Sequence, residues 1–292
     1  MTPQAAILEP IPDHARHLYF DLVPGADPRA ALRALAAACD GQGALLGIGV
    51  PVAEALGATV AGLRAFPHLP AAKPAIPVTQ HALWLWLRGT EPGELLHRGR
   101  ALEALAAPAF VRIQALDAYR YRDSRDLTGY EDGTENPQGD AAVAAAIAQG
   151  QGAGLDGSSF AVVQQWLHDF SVFDVMPRAE QDDCFGRNRD SNEELDDAPA
   201  SAHVKRTAQE DFEPPAFVVR RSMPWTEGAD AGLVFLAFGK SFDAFEALLR
   251  RMTGHDDGIR DALFDFTRPL TGGYYWCPPV GASGIDLDAL GA

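Results

Sequence analysis

The sequence predicts an α+β protein assembled from two units of one kind. The first observation is the order of elements through residues 15–123, which reads strand, helix, strand, strand, helix, strand. That is the split βαβ order of a ferredoxin-like domain, an antiparallel sheet with helices packed on it. The second observation is that strands, a helix and a closing strand return in the second half. The third is that neither strand-to-helix junction of the first half carries a Gly-rich phosphate loop, which argues against a dinucleotide fold. The expected domains are 1–128 and 129–292. No direct sequence repeat links the halves, so the duplication is inferred from element order.

ARHLYFDLV (15–23) is aromatic and aliphatic and reads as a strand. A helix follows, with Pro28 at its first turn, Ala and Leu through its middle and Gly41 as its stop. ALLGIGV (44–50) is a short apolar strand and PVAEALG a short helix, before a Pro-rich loop at 67–77. Ala82–Arg88 is a strand, and Leu95, Leu96, Leu102 and Leu105 mark a helix. FVRIQALDAYRYRD (110–123) closes the half as a long strand.

In the second half, a loop leads to AVAAAIAQGQG, which is small and mixed. SSFAVVQQWLHDF (158–170) reads as a strand, and a polar, acidic stretch runs over 177–199. HVKRT and AFVVRRSMPW read as strand-like, and the unbroken apolar run of GLVFLAFGK as a buried strand. SFDAFEALLRRMTG is a helix with Phe242, Phe245, Leu248, Leu249 and Met252 on one side, and TGGYYWCPPV is the last strand.

Composition narrows the function. The 292 residues are 47% apolar and 22% charged, which places the chain among globular proteins. Lys and Arg number 24 against 40 Asp and Glu, a net charge of −16. Such a body repels phosphate backbones and anionic membrane surfaces, so no nucleic-acid or membrane partner is expected. No window approaches a spanning helix, and the opening residues lack a basic leader, so the expected compartment is the cytoplasm. Cys39, Cys184 and Cys277 are odd in number and far apart, which fits buried thiols better than a disulfide framework.

Three features carry chemistry. GYEDGTENP (129–137) is dense in turn formers, and reads either as an acidic turn or as a turn that aims Asp132 into a pocket while Gly133 permits close backbone approach. SAHVKRT (201–207) holds one of eight histidines, none spaced as a two-ligand helix pair; a lone histidine suits a haem, which needs one proximal nitrogen, or a hydrogen-bonded core position. VVRRSMPW (218–225) ends an apolar run with two arginines. Strand alternation puts Arg220 on one face with Val218 and Ser222, and Arg221 on the other with Val219. An inward arginine needs an anion, from a protein carboxylate or a ligand.

Together with FGRNRDSNEELDD and FTRPLTGGYYWCPP, these segments resemble the dye-decolourising peroxidases of the compact bacterial type, type B. The resemblance runs over nearly the whole chain and is strongest from Tyr119 to Pro279. It implies two ferredoxin-like domains, one haem b per chain in the C-terminal domain, and a peroxidase that reduces hydrogen peroxide while oxidising dyes, phenols or other small organic donors. It implies His203 as the iron ligand, with Asp132 and Arg220 catalytic on the opposite side. Gly133, Thr134, Glu135 and Ser222 would also meet the cofactor, and Arg187 would approach a propionate. Asp265 matches a carboxylate that would orient His203. A homo-oligomer is implied, whereas the end of the chain at GIDLDALGA shows no docking tail for an encapsulating shell. A porphyrinogen-oxidising or haem-handling protein of the same family is the alternative reading, and a haem-free scaffold is the third.

Overall fold

The computed structural model describes residues 1–69 and 74–292. The Pro-rich loop expected at 67–77 therefore lies partly outside the described residues. The first half contains β1 (His14–Leu22), α1 (Arg29–Ala38), β2 (Ala44–Ile48), α2 (Val50–Leu56), β3 (Leu83–Gly89), α3 (Pro92–Ala106) and β4 (Phe110–Tyr119). The second begins with α4 (Gly139–Ala146), β5 (Ser159–His168), α5 (Phe170–Phe173), α6 (Arg178–Phe185) and α7 (His203–Arg206). It ends with β6 (Val219–Arg220), β7 (Met223–Glu227), β8 (Asp230–Gly239), α8 (Asp243–Met252), β9 (Thr267–Pro269) and β10 (Gly273–Cys277).

All these strands join one ten-stranded antiparallel sheet in the order β4-β1-β3-β2-β10-β5-β8-β6, with β7 also on β8 and β9 on β5. The order β4-β1-β3-β2 is that of a ferredoxin-like unit. The order β10-β5-β8-β6 repeats it, with β10 as fourth strand, β5 as first and β8 as third. The units meet where Trp276 of β10 pairs with Ile48 of β2. Gln4, fully buried, bridges that seam: its amide donates to the Leu46 and Pro278 carbonyls at 2.9 and 3.0 Å and accepts from Leu46 N–H. The curled sheet brings β4 against β7.

Strand alternation sorts the core into two faces. On β3, Leu83, Leu85 and Leu87 join the cluster under α1 and α3, while Trp84 and Trp86 enter the cluster enclosed by the curled sheet. On β10, Tyr274 and Trp276 go one way, and Tyr275 and Cys277 the other. These aromatics are fully buried, each contributing roughly 1.5–3 kcal/mol by burial. Helix α1 buries Ala31, Leu32, Leu35 and Ala36 as one stripe of strong helix formers. The three cysteines are free thiols, all buried. Among the described residues no helix is long and apolar enough to cross a membrane.

Two segments differ from the sequence expectation. HVKRT is the helical turn α7, not a strand: the Lys205 and Arg206 amides bond back to Ala202 O, and Thr207 Oγ1 donates to His203 O. The turn packs so closely on Gly186 (φ 76°) that a Cβ there would lie 2.3 Å from Val204. AFVVRRSMPW is two short strands, because Leu236 N–H bonds to Ser222 Oγ and the ladder is interrupted there. The expected small segment at 142–152 begins inside α4.

Candidate active site

The second unit holds a cavity of about 360 Å³. Its walls are Leu233 and Phe235 of β8, Phe245, Leu248, Leu249 and Met252 of α8, and the face of β5 bearing Gln164, Trp166 and His168. The long crossover from β5 to β6 and the 126–136 loop close it. Asp132, Thr134, Glu135, Arg187, His203 and Arg220 all line this space, so six of the eight expected site residues converge. Gly133 and Ser222 are not part of the wall.

His203 is the first residue of α7. Its Nδ1 lies 2.7 Å from Asp261 Oδ2, and Asp261 is fully buried. The other Asp261 oxygen caps the following 3-10 turn by accepting from Leu263 N–H at 2.9 Å. A carboxylate has no proton to give, so Nδ1 carries the hydrogen and, in the neutral ring, the lone pair lies on Nε2. Asp265, expected in this role, is instead a half-exposed partner of Arg260. The two acids stand four residues apart, and only the first lies beneath the imidazole.

Asp132 and Arg220 line the same cavity, with Oδ1 and Nη1 3.5 Å apart and both side chains about one-fifth exposed. Val218 and Arg220 line the cavity, whereas Arg221 turns away and donates to Leu8 O at 2.8 Å, as strand alternation requires. Burial, reinforced by the charge of Arg88, pushes the Arg221 pKa down to about 10. Asn136 locks Arg220 in place: Arg220 N–H donates to Asn136 Oδ1 at 2.7 Å, and Asn136 Nδ2 donates to Arg220 O at 3.0 Å. Asn136 N–H also bonds to Gly133 O. Gly133 has φ 81°, and a Cβ would sit 2.7 Å from Asn136 Nδ2, so this clamp favours glycine there. Ser222 is buried on the β8 ladder, not on the cavity.

Arg187 pairs with Glu135 at 2.6 Å and donates to Asn192 O at 3.0 Å, while Lys205 pairs with Glu194 at 3.0 Å. His168, buried at the cavity wall, was not distinguished by its sequence. Its Nε2 lies 3.0 Å from Asp126 Oδ1 and its Nδ1 2.7 Å from Thr267 Oγ1. With both nitrogens engaged, it has no lone pair to offer, which separates it from His203. Tyr130 donates to Asp182, and burial together with that carboxylate pushes its phenol pKa up.

The residues fit a haem. The walls are apolar, one imidazole has a free Nε2 fixed by a buried carboxylate, and Arg187 and Lys205 supply positive charge for acidic side groups. Among the described residues no cluster of three or more His, Cys, Asp or Glu could hold a metal ion.

Residues 123–282 match the family model described as Dyp-type peroxidase, C-terminal. The chain belongs to the Dyp-type peroxidase family. It is 30% identical over 246 residues to a dye-decolorizing peroxidase of Rhodococcus erythropolis, covering 82% of this chain and 72% of that one. It is 33% identical over 187 residues to one from Mycolicibacterium paratuberculosis, covering 62% of this chain and about half (52%) of the relative. Among solved structures, DyPB from Rhodococcus jostii RHA1 superposes with a TM-score of 0.86 at 26% identity, covering 95% of this chain and 96% of that one. A dye-decolorizing protein from V. cholerae gives 0.83 at 26% identity, over 94% and 96%. A Rhodococcus jostii DypB variant of the same fold is described in complex with heme. These likenesses agree with the α+β architecture and with the resemblance drawn from the sequence motifs.

Proposed function

We propose that the protein is a peroxidase with one haem b per chain, reducing hydrogen peroxide at the expense of small organic donors such as dyes or phenols. The observation that carries this reading is the convergence of the Asp261-backed His203 and the Asp132–Arg220 pair on one apolar cavity. His203 Nε2 would hold the iron, and Arg187 with Lys205 would face the propionates, the backbone of 132–135 lying alongside. Bound haem supplies an iron that exchanges electrons with peroxide and then with the donor. Asp261, by accepting the Nδ1 proton, raises the donor strength of Nε2. Asp132, when ionised, takes a proton from one peroxide oxygen and returns it to the other, so that water can leave. Arg220 holds a fixed positive charge where negative charge develops, and Asn136 keeps it there.

The free buried thiols accord with a reducing, cytoplasmic setting. Val111 and Ile113, each 50% exposed on β4, accord with a homo-oligomer. The charge of −16 disfavours nucleic acid and anionic membranes as partners.

An absorption spectrum before and after one equivalent of peroxide tests the reading. The parent should bind haem and change spectrum, His203→Ala should lose the iron–imidazole signature, and Arg220→Leu should keep it while reacting about 10²–10³ more slowly, a barrier increase of roughly 3–4 kcal/mol. Efficient porphyrinogen oxidation with weak turnover of dyes and phenols would favour the haem-handling alternative.

A further inference from the structure

We propose that His168 and Asp126 form a buried clamp that positions the loop bearing Asp132, a role that rests on the peroxidase reading for what Asp132 does. His168 is the last residue of β5 and so belongs to the sheet, whereas Asp126 begins the 126–136 loop. Their contacts fix where the protons sit. Thr267 spends its single hydroxyl proton on Leu167 O, 2.9 Å away, so Thr267 Oγ1 accepts from His168 Nδ1–H. Asp126 Oδ2 accepts from the Thr128 N–H at 3.0 Å and from the Thr128 hydroxyl, and Oδ1 faces His168 Nε2. With its pKa held down, the Asp126 carboxyl is ionised and has no proton to give, so Nε2 donates to Oδ1. Burial alone would raise the Asp126 pKa, but the His168 charge and bond, with the Thr128 bonds, hold it below the usual carboxylate range.

The side chains of this ion pair are 6% and 11% exposed on the wall of a mostly apolar cavity. Moving either partner would leave the other charge buried and uncompensated, so the pair resists displacement. The loop inherits that rigidity. Asp126 N–H donates to Tyr130 O at 2.8 Å and Gly129 N–H to Asp126 O at 2.9 Å, closing a turn. Asp132 N–H donates to Ser124 O at 3.2 Å, so Asp132 stands between the turn that Asp126 anchors and the Asn136 contact with Arg220. His168 is a positioning residue: it holds Asp126, which holds the backbone that aims Asp132.

The test combines amide hydrogen exchange, which needs no turnover, with peroxide kinetics on the haem-loaded protein. Asp126→Asn and His168→Gln should each speed exchange in 126–136 about tenfold or more while α1 and β3 keep parent rates. Each should slow the reaction with peroxide about 10- to 100-fold with the iron–imidazole spectrum retained. In an Asp132→Ala background, His168→Gln should slow the reaction no further, which a merely structural role would not satisfy. Parent exchange in the loop of both single variants overturns the proposal, as does further slowing in the Asp132→Ala background. Should His168→Gln fail to fold, nitrogen-detected NMR of the parent decides: a proton on both ring nitrogens at neutral pH supports the clamp, and a singly protonated ring overturns it. A parent that ignores peroxide would sink the peroxidase reading, while the exchange and NMR measurements would still judge the clamp.

Discussion

The two units share a strand order but differ in one connection. In the first, β1 reaches β2 through residues 23–43, and α1 fills the space over the sheet with Leu32 and Leu35, both fully buried. In the second, β5 reaches β6 through residues 169–218, and the corresponding space is walled by α7, α8 and loops around a cavity. One topology thus yields a filled core or an open cavity, depending on whether a single amphipathic helix or a long polar crossover covers the sheet. Two buried histidines follow the same division: His17 in the first unit stacks on Trp84 and Trp86, while His168 in the second rests on a carboxylate.

The sharpest way to break this comparison is to empty the filled unit. Leu35→Ala should cost about 2–5 kcal/mol of stability through the void it leaves, with the haem spectrum unchanged, as urea titration and absorbance would report. A spectral change would mean that the first unit shapes the cavity directly.

A smaller effect should separate the histidines. Trp84 Nε1 donates to His17 Nδ1 at 3.1 Å, so the ring must be neutral, and burial lowers its pKa from 6.5 to about 3. Below pH 6.5 the unfolded chain binds a proton that the folded chain refuses. Stability should therefore fall by about 1.4 kcal/mol per pH unit from this group as pH drops from 6.5 toward 3, and be unaffected by it above 6.5. His17→Gln, which can still accept from Trp84, should flatten that slope relative to the parent in urea titrations between pH 7 and 4. Equal slopes would place the acid sensitivity elsewhere.

The smallest expected effect concerns the two acids near His203. Asp265→Asn removes a half-exposed partner of Arg260 and should change stability by no more than about 1 kcal/mol, leaving the haem spectrum untouched. Asp261→Asn, by contrast, should alter the iron–imidazole signature in resonance Raman. Reversal of that pattern would restore Asp265 as the orienting carboxylate.

What could be read from the sequence was whatever obeys a local period. Runs of aromatic and aliphatic residues placed the strands, a leucine stripe placed α3, and strand parity separated Arg220 from Arg221. The motif resemblance brought together Asp132, Arg187, His203 and Arg220. What escaped was set by distance along the chain or by a single bond. Asp126 and His168 are 42 residues apart, and no local pattern ties them. Asp261 and Asp265 share a segment, and only burial distinguishes them. Ser222 has the right parity for the cavity, yet its hydroxyl is taken by Leu236 N–H. In HVKRT, packing against Gly186 made a turn where composition suggested extension.

The seam between β2 and β10 has a practical corollary. The family model matches only 123–282, which invites treating that stretch as a portable module. Excised, it would leave one flank of β10 bare, with backbone donors and acceptors facing water and the Gln4 bridge gone. An unprotected strand flank of that kind recruits other chains. The cavity-bearing half therefore depends on its neighbour as a splint, and shortening the protein to its recognisable part would trade a folded core for an aggregate.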